Sequence, residues 1–211
     1  MSTISIIGAG GMAAAIGSQA TKAGHTVEIS TRDGAKAQAL AEKLGAKATT
    51  AAFGTVPSGD LVILAVPYGG VLDVVKQYGH ALAGKVLVDI TNPVNAEFTD
   101  FVTPGDSFGA QEIARAAPGD AIVVKAFNTQ FSHILTAGQI DGHPLDIFFA
   151  SDDAQAKTRV AAFIESLGLR PLDVGALSMA RTLEHLSLLS LGIVRHATRH
   201  TQFAIGVSLK A

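Results

Sequence analysis

Short apolar runs that do not alternate with polar residues constrain this chain more than any other feature. Ser2-Ile7, Thr26-Ser30, Leu61-Val66, Lys85-Ile90, Ala121-Ala126, Leu145-Ala150 and Leu169-Val174 are mostly apolar and β-branched, and read as strands. A strand wet on one side alternates; one that is apolar throughout is buried on both faces, as in a parallel sheet covered by helices. Helices are predicted between them at Gly11-Ala23, Gly34-Leu44, Gly69-Tyr78, Ser107-Ala117 and Asp153-Leu167, each ending near a glycine or proline. The order predicts an α/β fold with a doubly wound parallel sheet over residues 1–174. From Leu177 to about Arg199 the rhythm changes to one long helical stretch, with Leu183, Leu186, Leu188, Leu189, Leu191, Ile193 and Val194 on several faces. A helix apolar nearly all round must be covered. Residues 175–211 are therefore predicted to form a small helical C-terminal cap and to pair two subunits.

Charge and composition exclude several function classes. The 16 Lys and Arg are dispersed among 18 Asp and Glu, so no basic stripe is offered to nucleic acid. With no cysteine, disulfides, thiolate metal sites and cysteine nucleophiles are impossible, which suits a cytoplasmic protein. The chain runs directly into Ile4-Ser5-Ile6-Ile7 without a basic start or apolar signal region. Its longest apolar stretches are far shorter than the roughly 20 residues of a membrane helix. A soluble protein is expected.

Directly after the first strand stands Gly8-Ala9-Gly10-Gly11-Met12-Ala13, a GxGxxA pattern opening an alanine-rich helix. Gly8 permits a sharp turn, Gly10 lets the backbone approach a pyrophosphate, and Ala13 lets the helix pack closely on the strand. The helix N-terminus supplies free N–H groups and partial positive charge. This is the Rossmann arrangement for a dinucleotide. At the end of the second strand an NAD-binding protein usually presents Asp or Glu, whereas this chain presents Ser30-Thr31-Arg32. Arg32, Thr31 and Lys36 are able to converge on a 2'-phosphate, which predicts NADP(H). Glu28 lies two residues inside the strand.

Ligands of doubly wound sheets bind beyond the carboxyl ends of the strands. Ala65-Val66-Pro67 with Tyr68-Gly69-Gly70, Thr91-Asn92-Pro93-Val94 and Phe127-Asn128-Thr129 occupy those ends and are expected to border the cofactor. Asn92 reads equally as a turn residue before Pro93, and Asn128 equally as the cap of a following helix. No proton-transfer group stands out. His133, His143, His185, His196 and His200 are scattered, and Asp60, Asp89 and Asp106 form no recognisable hydrolytic pair. His196 and His200 are four apart, but no third metal ligand accompanies them. Hydride transfer between two carriers requires none of this machinery.

The chain resembles the NADP-dependent oxidoreductase family typified by archaeal F420:NADP oxidoreductase, whose fold is shared by the cytosolic domain of the STEAP metalloreductases. The resemblance runs through the glycine turn, Ser30-Thr31-Arg32 with Lys36, Ala65-Val66-Pro67, Val123-Val124-Lys125-Ala126-Phe127-Asn128-Thr129 and Ala150-Ser151-Asp152-Asp153. It closes with Gly168-Leu169-Arg170-Pro171-Leu172-Asp173-Val174-Gly175-Ala176-Leu177-Ser178 and the Arg181-Thr182-Leu183-Glu184 helix. It implies that Thr31, Arg32 and Lys36 grip the 2'-phosphate, and that coenzyme F420 or a flavin is the second redox carrier. It also implies a small homodimer whose C-terminal segment helps to roof the site, with Arg181, Arg195 and Arg199 as candidates for an acidic F420 tail. Ala9 and Gly11 depart from the archaeal type, which has a threonine and an asparagine there. Ile7-Gly8-Ala9-Gly10-Gly11-Met12-Ala13 also resembles pyrroline-5-carboxylate reductases, although segment 175–211 is too short for their helical substrate domain. A non-catalytic NADPH-sensing dimer is the third reading.

Overall fold

The computed structural model describes residues 2–208. Residue 1 of the predicted Rossmann unit and residues 209–211 of the predicted cap lie outside the described residues. In chain order the elements are β1 (Thr3–Ile7), α1 (Gly11–Lys22), β2 (Thr26–Ser30), α2 (Gly34–Leu44), β3 (Ala48–Thr50), β4 (Leu61–Leu64) and α3 (Tyr68–Tyr78). There follow β5 (Val86–Asp89), α4 (Gly109–Ala116), β6 (Ile122–Ala126), α5 (Ser132–Ala137), β7 (Gln139–Ile140), β8 (His143–Pro144) and β9 (Asp146–Ala150). The chain closes with α6 (Ala154–Ser166), β10 (Arg170–Asp173) and α7 (Ala180–Ile193). Every strand and helix predicted before residue 174 is present, with ends within about two residues. Short β3, the six-residue α5 and the β7–β8 hairpin were not anticipated.

One eight-stranded sheet has the order β10-β9-β6-β5-β4-β1-β2-β3. Strand order reverses between β1 and β4, which creates the crevice where such sheets bind ligands. Strands β1 to β6 are mutually parallel, as expected, but β9 pairs antiparallel with β6 through Lys125↔Ala150 and Ala126↔Phe149. This corrects the all-parallel reading. A parallel return needs a crossover spanning the strand, whereas segment 127–145 consists of the short α5 and a hairpin. Helix α6 then carries the chain back to place β10 parallel to β9.

Two cores cover the sheet. Leu61 and Ile63 face α1, α2, α5 and α6, while Val62 and Leu64 face α3 and α4. Burying each such side chain contributes about 1.5–3 kcal/mol. The C-terminal stretch is not one uniform helix: a 3-10 turn at Leu177–Met179 leads into α7, and a π segment follows at Val194–Thr198. Leu183 of α7 packs on Phe148 and Ala150 of β9. Glu184, Ser187 and Ser190 are buried with it, whereas Leu189 is 58% exposed. The polar side of α7 faces its own chain.

At the amino ends of the central strands, buried His25 joins the start of β1 to the end of α6. Its Nε2 lies 2.8 Å from Ser166 Oγ, and that hydroxyl donates to the Phe163 carbonyl. Nε2 is therefore the protonated nitrogen, and Nδ1 accepts from the Ser2 N–H and hydroxyl. Burial holds the imidazole below its ordinary 6.5, opposed in part by the Ser2 hydrogen bond. The neutral form belongs to the folded state, so its contribution is complete above about pH 6.5 and is lost as the pH falls through the depressed folded value. Urea unfolding at pH 7.5 and 5.5 is expected to show lower stability at 5.5, and His25→Gln should flatten that dependence. An unchanged slope in the variant would assign the acid sensitivity elsewhere.

Candidate functional site

The ends of β1, β2 and β4 meet at the glycine turn. The Gly8 N–H donates to the Ser30 carbonyl at 2.8 Å, and the Ala65 N–H donates to the Ile7 carbonyl at 2.8 Å. Gly8 has φ +128°, and a Cβ there would stand 2.1 Å from the Ala65 carbonyl oxygen, so only glycine fits. At Gly10, by contrast, a Cβ would meet nothing within 4 Å. That open space lies at the N-terminus of α1, where Gly10 provides no side-chain cap and the first turn carries no acidic residue. The first N–H groups of α1 and its dipole are thus available to an anion. Gly11 abuts Ser132 at the start of α5, Met12 is half-buried and Ala13 is buried in the core.

The second group stands at the end of β2. The guanidinium of Arg32 lies over the Phe53 ring, 5.6 Å from its centroid, and among the described residues it pairs with no carboxylate. Thr31 is half-buried beside it. Lys36 is differently placed: Asp33 caps α2 by accepting the Lys36 N–H, and the Lys36 ammonium pairs with Asp33 at 3.4 Å. Glu28 accepts from Ser5 Oγ at 2.8 Å and from the Ser58 N–H at 2.9 Å. Its carboxylate is therefore engaged in the sheet.

The third group joins the ends of β5 and β6 to α7. Lys125 Nζ is fully buried and donates to Asp89 Oδ2 at 2.8 Å, the Thr91 carbonyl at 2.6 Å and Glu184 Oε1 at 3.0 Å. Asp89 Oδ1 accepts from the Thr91 N–H and hydroxyl. Glu184 also accepts from Gly109 N–H at 3.0 Å and Ala110 N–H at 3.1 Å, at the start of α4. Two carboxylates are thus balanced by one ammonium and by the positive end of a helix. Tyr68, which opens α3, approaches this cluster through Gly109, whose Cβ would lie 3.1 Å from the Tyr68 ring. Burial, with the Glu112, Glu184 and Asp89 charges, pushes its phenol up to about 12, so it remains a hydrogen-bond donor.

Asn92 and Asn128 hold each other. Asn92 Nδ2 donates to the Asn128 carbonyl and Asn128 Nδ2 to Asn92 Oδ1, both at 2.9 Å. Asn128 Nδ2 also reaches the Leu183 carbonyl at 3.0 Å. Phe131, not Asn128, is the N-cap of α5. Phe127 adopts φ +60°, and Asn128 Oδ1, Thr129 Oγ1 and Gln130 Oε1 are buried without a hydrogen-bond partner. Such unmade bonds each cost roughly 1–3 kcal/mol, and strained backbone with orphaned polar atoms concentrates at binding sites. Nearby, Arg181 lies over Phe108, His185 packs on Phe101 at 4.7 Å between centroids, and Arg195 donates to the Glu97 carbonyl. A cavity of about 280 Å³ lies between loop 100–108 and α7, lined by Arg181 and His185. Arg199 is exposed, at φ +56°.

The structure therefore brings Gly8, Ala65 and the end of β2 together, and Asn92 with Asn128, while Lys36 turns to Asp33. Val66 and Tyr68 are half-buried and Pro67 is exposed where β4 passes into α3, and Pro93 lies 3.2 Å from the Cβ position of Gly109. Sequence reading passed over the Lys125–Asp89–Glu184 cluster and the Phe53 and Tyr78 rings. A lysine inside the otherwise apolar Ile122–Ala126 run was the available signal for the first. For Phe53, isolated in a loop, there was none. No group of three or more His, Asp or Glu side chains among the described residues is placed to hold a metal ion, and no described helix is long and apolar enough to cross a membrane.

Residues 3–93 match the family described as NADP oxidoreductase, coenzyme F420-dependent. The chain is 29% identical over 188 residues to the metalloreductase STEAP3 of Rattus norvegicus, covering 88% of this chain and 36% of that protein. It therefore spans about a third of that relative's length. It is 28% identical over 188 residues to the F420-dependent NADP reductase of Methanothermobacter marburgensis, covering 81% of this chain and 82% of that one. A hypothetical protein of Sinorhizobium meliloti has a crystal structure that superposes with a TM-score of 0.77 at 30% identity, over 86% of this chain and 88% of that chain. By sequence the chain is similar to coenzyme F420-dependent NADP oxidoreductases over its first 93 residues and, at lower identity, over most of its length.

Proposed function

We propose that this protein is an oxidoreductase that transfers hydride between NADP(H) and a second small-molecule redox carrier, coenzyme F420 or a flavin. The observation that carries the reading is an uncapped α1 N-terminus facing open space at Gly10, with the unpaired Arg32 guanidinium at the end of the neighbouring strand. The naming of the Methanothermobacter relative as an F420-dependent NADP reductase supports it.

In this reading Gly8 shapes the turn, the backbone N–H groups of Ala9, Gly10, Gly11, Met12 and Ala13 hold the pyrophosphate, and Thr31 with Arg32 grips the 2'-phosphate. Lys36 assists only by leaving Asp33. Ala65, Val66 and Pro67 border the ribose side. Asn92, Pro93 and Asn128 border the redox ring. The bound nicotinamide supplies the hydride. The chain orients it and excludes water, so no acid or base is required. Tyr68, kept as a phenol, serves only as a donor.

The same reading takes residues 1–174 as the cofactor unit and 175–211 as a cap, and places the protein in the cytoplasm. It makes the active form a homodimer. The exposed Leu189 and the half-buried Leu186, Leu188, Leu191, Ile193 and Val194 of the C-terminal helical stretch, with exposed Phe98 and Val102 of the loop it contacts, form the face for a second copy.

The testing experiment is anaerobic mixing of NADPH with coenzyme F420, followed by loss of deazaflavin absorbance, with FMN in parallel and light scattering for mass. F420 reduction is the expected result. Tight NADPH binding with FMN reduction alone would move the acceptor to flavins. Binding with no turnover on either, or on an imine, would replace the enzyme reading with an NADPH sensor.

A further inference from the structure

We infer that Phe53 is a specificity-determining positioning residue, which acts through Arg32 to set the preference for a 2'-phosphorylated dinucleotide. The inference rests on the NADP(H) reading above and adds to it a residue from outside every predicted motif.

The contacts form a closed circuit around the end of β2. Ser30, the last residue of that strand, bonds through Oγ to the Tyr78 hydroxyl at 2.7 Å, and Tyr78 at the end of α3 is buried. Phe53 packs edge-on against Tyr78, with centroids 5.1 Å apart and planes at 86°. Its own face carries the Arg32 guanidinium. The circuit therefore returns to the residue two places after Ser30. Phe53 sits in the loop after β3, where Thr55 Oγ1 donates to the Ala52 carbonyl at 2.8 Å and holds the turn.

This arrangement addresses a specific cost. A free arginine side chain carries about 2 kcal/mol of rotamer entropy, which binding a phosphate must overcome. An aromatic face fixes the planar group while leaving its N–H edge free to donate, because the ring interaction uses the π surface and not the hydrogens. Lys36 has no such support and is drawn to Asp33 instead. Arg32 is thus held ready for an anion. Phe53 need not touch the cofactor to matter, since pre-organisation improves affinity only for the ligand that uses the organised group.

The test measures Kd values for NADPH, NADH, adenosine 2'-monophosphate and adenosine 5'-monophosphate, with the full chain. Phe53→Ala is expected to weaken NADPH and the 2'-phosphate roughly two- to five-fold, the range of an exposed cation–π contact, with NADH and the 5'-phosphate unchanged. Phe53→Tyr should restore wild-type values. Phe53→Leu, which keeps apolar volume against Tyr78, should behave as the alanine variant, and it keeps the test alive if that variant unfolds. In an Arg32→Ala background the Phe53 effect should vanish, since the two act as one unit. Equal weakening of all four ligands, wild-type behaviour of the leucine variant, or an undiminished effect without Arg32 would each overturn the inference. Wild-type protein that binds NADH as tightly as NADPH would instead overturn the cofactor reading, and this inference with it.

Discussion

Lys125→Met is expected to lower folding stability by about 3–5 kcal/mol, because it leaves two buried carboxylates without their shared cation. For a chain of this size that corresponds to a loss of roughly 6–20 °C in Tm. The mechanism is specific. Asp89 keeps its Thr91 donors and Glu184 keeps the α4 N-terminus, but both lose the ammonium that balances them. Replacing all three charges together, as Lys125→Met with Asp89→Asn and Glu184→Gln, should recover part of the loss, since the unpaired charge is what destabilises. Calorimetry or urea unfolding reads both variants. A single-variant loss below about 1 kcal/mol, the range of surface pairs, would mean that the cluster is wet or open in solution.

Arg32→Ala should weaken NADPH binding by about 1.5–3 kcal/mol, or roughly 10- to 150-fold in Kd, the range for hydrogen bonds to a charged group. NADH affinity should stay the same, and the cofactor preference should fall accordingly. Isothermal titration at low ionic strength is the suitable measurement, because Arg32 is exposed and salt screens it. Lys36→Ala should change the NADPH affinity less, since its ammonium already serves Asp33. An Arg32 variant that loses NADH and NADPH equally would show that this residue supports the adenosine pocket and not the phosphate.

The parallel part of the sheet, β1 to β6, was legible because strands such as Leu61–Leu64 are apolar on both faces, as in a sheet covered by helices. The glycine turn was legible because each small residue answers a steric demand, seen most directly at Gly8 and the Ala65 carbonyl. The reversal of β9 was not legible: its Asp146–Ala150 run looks the same in either direction, and direction is set by how short α5 is. Nor was the inward-facing polarity of α7. Leucines marked that helix as buried, yet Glu184 and Ser187 face its own chain, because their partners come from β6, α4 and the Asn128 carbonyl, far away in sequence. The same is true of Phe53, whose role depends on meeting Arg32 and Tyr78 in space.

The Lys125 cluster also bears on how such chains diversify. Its three charges come from β5, β6 and α7, so they lie on both sides of residue 174, the boundary proposed between the cofactor unit and the cap. A chimera that joined the first 174 residues to the cap of a relative lacking a carboxylate at position 184 would keep the Lys125–Asp89 pair but leave the ammonium one acceptor short and a pair of N–H groups on α4 unanswered. Asp89, Lys125 and Glu184 are therefore expected to be exchanged or lost as a set, and the cap to co-evolve with the strand ends it touches. A seam that looks modular in the primary structure is thus tied across by buried charge.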